Sequence, residues 1–217
     1  GCEDKYHNVL GAKEYTHSIQ TLSKARETFH SISELPKGAR VGIVGAGLSG
    51  IELASELRES RTDLEIILYD RGPRILRNFP EKLSNYIAKW FRENNVNVVP
   101  NSLIDKVEQG TIYNNGTPET VDIVVWTAGI QPVEIVRKLP IDTNKSGRVI
   151  VNQYHQVPTY KNVYVVGDCA ALPHAPSAQL AEVQGDQIAD VLKKQWNHEP
   201  LPEKMPELKV QGFLGSL

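Results

Sequence analysis

Over the first 36 residues, apolar and polar positions mix without a dominant period. Residues 16–29 carry one weak helical stripe (Ile19, Leu22, Ala25, Phe29), and Pro36-Lys37-Gly38 then breaks the chain. The pattern changes at Val41-Gly42-Ile43-Val44, an apolar run without alternation that suits a strand buried on both faces. Ile51, Ala54 and Leu57 at helical spacing predict a helix over 48–60, and Glu65-Ile66-Ile67-Leu68-Tyr69 reads as a second buried strand. The stripe Leu83, Tyr86, Ile87, Trp90 and Phe91 predicts an amphipathic helix over 80–94. A third strand over 96–99 is stopped by Pro100.

Residues 103–107 and 111–113 read as strands of a small meander, with Asn114-Asn115-Gly116 as a tight turn. A further buried strand over 122–126 ends at Thr127-Ala128-Gly129, and residues 142–147 are turn-rich. Beyond them the pattern predicts strands over 149–151 and 163–166 and a helix over 177–196. Pro200, Pro202 and Pro206 mark a surface linker. Strands alternating with helices predict an α/β architecture around a parallel sheet. Its boundaries divide the chain into residues 1–36, 37–147 and 148–217.

Composition narrows the chemistry. The 217 residues carry a formal charge of −2 with 40% hydrophobic and 23% charged residues, so a core is possible and disorder is excluded. That balance lacks the concentrated basic surface that nucleic-acid binding requires. No apolar run reaches the roughly 20 residues of a membrane span. Cys2 and Cys169 are the only cysteines, so there is neither a disulfide framework nor a cysteine-rich zinc site. No His pair forms a metal helix, and no metal is expected. Cys169, far in sequence from Cys2, reads as a small, partly buried residue, and His174 as an ordinary loop histidine. The start at Gly1-Cys2, without Met or an apolar leader, reads as a piece of something longer.

Gly45-Ala46-Gly47-Leu48-Ser49-Gly50 is G-x-G-x-x-G between a predicted strand and a predicted helix, the context in which this string binds a dinucleotide. Gly45 permits the tight turn, Gly47 lets pyrophosphate approach the backbone, and Gly50 lets the helix pack closely. The helix N-terminus offers N–H groups and partial positive charge to the phosphates. Asp70 lies 25 positions after Gly45 at the end of the next strand, the place of the acid that binds a ribose 2′-hydroxyl. It favours NADH over NADPH, a preference that Arg71 dilutes. Val163-Tyr164-Val165-Val166-Gly167-Asp168 delivers a second Gly-Asp to a predicted strand end, where Asp168 is either a ligand or a turn residue.

On these motifs the chain resembles the two-dinucleotide-binding-domain flavoproteins, and more narrowly the type II (non-proton-pumping) NADH:quinone oxidoreductases. The fold so implied is a Rossmann-type NAD(H)-binding domain inserted in an incomplete FAD-binding α/β domain. The resemblance implies that Asp168, with Gly167, meets the ribityl chain of FAD. Val125-Trp126-Thr127-Ala128-Gly129-Ile130 matches the family segment lining the nicotinamide side, so Thr127, Ala128 and Gly129 are implied cofactor contacts. Gly50-Ile51-Glu52 matches a G-x-E whose acid sits near nicotinamide and quinone. Pro176-Ser177-Ala178-Gln179-Leu180-Ala181 matches a helix start beneath the flavin, placing Ala178 at the flavin and Gln179 at the quinone.

The implied activity is hydride transfer from NADH to FAD and electron transfer onward to a membrane quinone. Peripheral contact with the inner face of the cell membrane would run through regions outside these residues, and a homodimer is among the assemblies the resemblance allows. Two departures stand out. The family's second Gln, one turn after the first, is Val183 here, with Gln184 next to it and turned by about 140° from Gln179. The family's first glycine loop for FAD, and its membrane-binding region, are not among the 217 residues, so the isolated chain is expected to be inactive. The alternatives are an NAD(P)H-dependent flavoprotein disulfide or ferredoxin-type reductase, and an NADH-binding domain without turnover.

Overall fold

The computed structural model describes residues 1–173 and 176–208. In chain order the elements begin with β1 (Cys2–Asp4), α1 (Ala12–Tyr15), α2 (Leu22–Ser33), β2 (Arg40–Val44), α3 (Leu48–Ser60) and β3 (Glu65–Tyr69). Then come α4 (Glu81–Glu93), β4 (Val96–Val99), β5 (Ile104–Glu108), β6 (Thr111–Asn114), β7 (Thr117–Thr120) and β8 (Ile123–Trp126). The chain continues through β9 (Ile130–Pro132), α5 (Glu134–Arg137), a 3₁₀ turn at Gly167–Cys169 and α6 (Ala178–Trp196). Contacts divide it into two units. One is Asp4–Gly129; the other joins Gly1–Glu3 to the described residues from Ile130 onward.

The Asp4–Gly129 unit is built on a four-stranded parallel sheet in the order β4-β3-β2-β8. Val41 pairs with Ile66 on one side and Ile123 on the other. Alternate residues of these strands enter two different cores. Ile43, Ile66, Leu68 and Val125 pack with Ile51, Ala54, Ile87 and Phe91, whereas Val44, Tyr69, Val124 and Trp126 pack with Val107 and Ile112. Both faces are therefore apolar, which explains the absence of alternation in the sequence. The second core is shared with the antiparallel sheet β5-β6-β7. Asn115 and Gly116, with φ of 51° and 76°, form the turn between β6 and β7.

Two helices differ from their sequence patterns. The stripe at residues 16–29 predicts an earlier helix than α2, because His17 instead joins the edge of the sheet: its N–H donates to Val124 at 2.8 Å and its carbonyl accepts from Trp126 at 2.8 Å. α2 starts behind Thr21, whose side chain accepts from the Lys24 N–H, and it buries Thr28 and Ile32 while Leu22 and Phe29 stay exposed. In α4 the buried face is Ser84, Ile87 and Phe91, with Tyr86 62% exposed. Ser84 is satisfied there by donating to the Ile75 carbonyl at 2.7 Å.

The second unit carries the two-stranded sheet β1-β9. The strands predicted over 149–151 and 163–166 do not form. Val149 makes single bridges to Thr143 and Ala170, and Tyr164 makes one to Gln156. A ladder needs consecutive partners, and among the described residues these segments find one pairing at a time. α6 forms as predicted, with Ser177 as N-cap accepting from the Leu180 N–H. Residues 130–147 belong to this unit and residues 4–36 to the sheet unit, so the contact boundaries differ from those expected at 36/37 and 147/148. The cause is long-range pairing: Val133 N–H donates to Gly1, and Ile32 lies in the core beside β2. Among the described residues, no helix is long and apolar enough to cross a membrane.

Candidate dinucleotide site

β2 delivers Val44 to the point where the parallel strand order reverses, since β3 lies on one side of β2 and β8 on the other. Ligands of open α/β sheets collect at such a point. Gly45 turns the chain there with a φ of 108°, and a Cβ on it would lie 2.8 Å from the Ala128 Cα. Its N–H donates to Tyr69 at 2.8 Å, and its carbonyl accepts from the Thr127 hydroxyl at 2.9 Å. A Cβ on Gly50 would lie 1.9 Å from the Gly45 carbonyl oxygen, so α3 approaches the loop more closely than any other residue would allow.

Gly47 is different. A Cβ there would meet nothing within 4 Å, so the bare backbone faces open space. Gly47 is also the N-cap of α3, and no side chain caps that terminus. N–H groups left unsatisfied at a helix start, beside a gap, form a phosphate cradle. Asp70 braces the cradle from β3. Its carboxylate accepts from the Ala46 N–H at 2.8 Å and from the Gly72 N–H at 2.7 Å. Each carboxylate oxygen keeps a lone-pair direction for a sugar hydroxyl.

These groups line a cleft of about 590 Å³ together with Tyr69, Arg71, Thr127, Ala128 and Gly129. That size suits a cofactor site. The structure thus brings Gly45, Ala46, Gly47 and Asp70 together with Thr127, Ala128 and Gly129. Leu48 packs into the core, and Ser49, Gly50 and Glu52 do not line the cleft. Tyr69, fully buried, donates to the Glu119 carboxylate at 2.6 Å. Burial and that carboxylate hold its phenol well above the ordinary tyrosine value.

His7 and Asn8 also line the cleft, and sequence patterning did not single them out. Both adopt left-handed backbone, with φ of 51° and 60°, and His7 Nε2 lies 2.8 Å from the Ala128 carbonyl oxygen. Nothing periodic marks them; the nearest signal is an Asn in a turn-forming dipeptide.

In the other unit, Gly167 adopts a φ of 72° and opens the turn that carries Asp168. Asp168 is half-buried, and among the described residues its carboxylate takes no hydrogen bond. Ala178 and Gln179 are exposed in the first turn of α6. Gln184 is 2% exposed and its side-chain oxygen accepts the Gly167 N–H at 2.6 Å. It therefore fixes the Asp168 turn and cannot share the exposed face of Gln179. Cys169 is buried, and its thiol donates to the carbonyl oxygen of Gly1, the residue before Cys2, at 3.0 Å. Burial, with Cys169 and Asp168 beside it, pushes the Cys2 thiol up to about 11. His174 lies outside the described residues. Among the described residues, no group of three His, Cys, Asp or Glu could hold a metal.

The family described as pyridine nucleotide-disulphide oxidoreductase matches residues 1–185. The chain is 57% identical, over its whole length, to 61% of the NADH dehydrogenase-like protein YutJ of Bacillus subtilis (strain 168). It is 27% identical, over 82% of its length, to 44% of the type II NADH:quinone oxidoreductase of Haemophilus influenzae. The chain thus spans less than two thirds of either relative. Among solved structures, the water-forming NADH oxidase from Lactobacillus brevis bound to NADH superposes with a TM-score of 0.78 at 18% identity. The superposition covers 88% of this chain and 44% of that one, and at this identity it shows the fold alone.

Proposed function

The chain belongs to the pyridine nucleotide-disulphide oxidoreductase family, and from that membership we propose that it is the nicotinamide-binding part of a flavoenzyme that oxidises NADH and passes electrons to a quinone. The observation that carries the reading is the cradle: an uncapped helix start, a glycine with open space in place of a Cβ, and a carboxylate at the adjoining strand end. The names of the two relatives, an NADH dehydrogenase-like protein and an NADH:quinone oxidoreductase, support the electron donor and the acceptor.

When bound, the cofactors would carry the redox chemistry, NADH supplying a hydride and FAD accepting it. This chain's residues bind and orient. The start of α3 holds the pyrophosphate of NADH, and the Asp70 carboxylate takes the ribose hydroxyls while repelling a 2′-phosphate. Thr127, Ala128 and Gly129, fixed to β2 by the Thr127 hydroxyl, form the wall for the nicotinamide. Toward FAD, the half-buried Asp168 carboxylate is available for ribityl hydroxyls, on a turn held by Gln184. Glu52, half-buried on α3, is proposed as an acid near the nicotinamide. Ala178 is proposed beside the flavin. Gln179 is proposed to donate from its amide to a quinone carbonyl, at a helix start that favours developing negative charge.

Stopped-flow measurement of both half-reactions in the full-length, flavin-loaded protein tests the quinone assignment. Gln179→Ala should slow oxidation of reduced flavin by quinone a few-fold, the loss of one hydrogen bond of about 1 kcal/mol. Flavin reduction by NADH should keep its rate. Equal slowing of both would assign Gln179 to the flavin or the helix and remove the quinone from this site.

A further inference from the structure

Cys2 opens β1 and Cys169 closes the Gly167–Cys169 turn. Remote in sequence, they are neighbours in the same unit. The Cys169 thiol donates to the Gly1 carbonyl oxygen at 3.0 Å. In a trans peptide that oxygen lies about 2.8 Å from the next Cα, so the Cys169 sulfur is within about 6 Å of the Cys2 Cα. The Cys169 thiol is also among the neighbours that raise the Cys2 thiol. Both are free. Their backbones are held: Cys169 C=O accepts from Val149 N–H at 2.8 Å, and Gly1 C=O accepts from Val133 N–H at 3.2 Å. Cysteines this near each other fall in the range of a bridge, which spans Cα atoms about 4.4–6.8 Å apart.

We propose that Cys2 and Cys169 form a reversible thiol–disulfide pair, closed by exchange with a low-molecular-weight disulfide, that ties β1 to the turn bearing Asp168. Cys2 is half-buried and Cys169 buried, so the incoming reagent meets Cys2 first. The Cys2 sulfur, having given up its proton, attacks one sulfur of the reagent. The reagent's S–S bond breaks, and the departing thiolate takes up the proton. The Cys169 sulfur then attacks the Cys2 sulfur of the mixed disulfide and expels the second thiolate, which takes the Cys169 proton. In sum the two cysteines lose two hydrogens and two electrons, and the reagent is reduced to two thiols.

The raised Cys2 thiol keeps the thiolate scarce near neutrality, so the first exchange is slow. The second is intramolecular between groups already in place, so it is fast and the mixed disulfide does not accumulate. Neither cysteine lines the candidate cleft, and the proposal stands or falls independently of the electron acceptor.

The test uses oxidised glutathione on the folded 217-residue protein, followed by acid quench, alkylation in denaturant and mass mapping. The expected product has lost both alkylatable thiols, carries no glutathione, and yields a Cys2 peptide linked to a Cys169 peptide that dithiothreitol separates. Cys169→Ser should instead retain glutathione on Cys2. Three outcomes overturn the proposal: a glutathione adduct that persists on Cys2 in the unsubstituted protein, bridges between chains in place of the internal one, or two surviving thiols under conditions that oxidise the guanidine-unfolded chain. The unsubstituted protein decides the matter even where the serine variant fails to fold.

Discussion

Gly50 and Asp70 show how single side chains, or the lack of one, set the cradle. A methyl group on Gly50 would sit 1.9 Å from the Gly45 carbonyl oxygen and 2.8 Å from the Thr127 hydroxyl. Neither backbone nor strand can yield that much, so Gly50→Ala should displace α3 and destabilise the protein by about 1–3 kcal/mol in urea unfolding. NADH affinity should fall with it. Asp70 braces the Ala46 and Gly72 amides, and it is proposed to face the ribose as well. Asp70→Ala should therefore cost about 2 kcal/mol of stability through lost charge-assisted hydrogen bonds. It should also shift preference from NADH toward NADPH, because a hydroxyl acceptor and a like-charge repulsion vanish together. Parallel nicotinamide-fluorescence titrations with both nucleotides would measure this; an unchanged ratio would mean that the carboxylate serves the loop alone.

At the scale of elements, two contacts hold pieces that periodicity does not connect. Gln184, on the buried face of α6, satisfies the Gly167 N–H. Gln184→Leu should leave that amide without a partner, costing about 1–3 kcal/mol. Faster hydrogen exchange at Gly167 would report the loss locally. Tyr69 links the end of β3 to Glu119 on β7. Its folded-state pKa is raised, so its contribution is complete below the unfolded value near 10 and is lost as pH rises above it. The protein should thus lose stability progressively above about pH 10. Tyr69→Phe should flatten that alkaline limb, while near neutrality it costs about 1 kcal/mol from the lost hydrogen bond. Denaturant midpoints across the alkaline range would separate the two effects.

For the whole chain, the 217 residues hold one G-x-G-x-x-G loop. If that loop holds NADH, as proposed, the sequence offers no second such loop for the FAD pyrophosphate. Titration of the purified 217 residues should show saturable NADH binding below millimolar concentration. Flavin absorbance should correspond to far less than one flavin per chain, because the helix-terminus contacts to the FAD pyrophosphate are lacking. A yellow protein with one flavin per chain would reassign the Gly45 loop to FAD and withdraw NADH from this cleft.

The sequence by itself determined the features that local geometry dictates. The apolar runs of β2, β3 and β8 announce strands covered on both faces. The helix over 48–60 coincides with α3, and Asn115-Gly116 forms its turn because both residues tolerate left-handed backbone. The glycine loop was legible because Gly45 and Gly50 meet steric demands that no other residue meets, while Gly47 leaves open space, and Asp70 because it stands at the end of the adjoining strand. Tertiary structure decided what depends on partners distant along the chain. It drew His17 to the sheet edge and left residues 149–151 and 163–166 with single bridges. It set Gln184 beneath Gly167, placed His7 beside Ala128, and brought Cys169 to the Gly1 carbonyl next to Cys2. Periodicity reports which face of an element is apolar, but not which remote segment will cover it. That choice is made by packing and hydrogen-bond satisfaction over the folded chain, where one buried amide or one shared edge outweighs a weak local pattern.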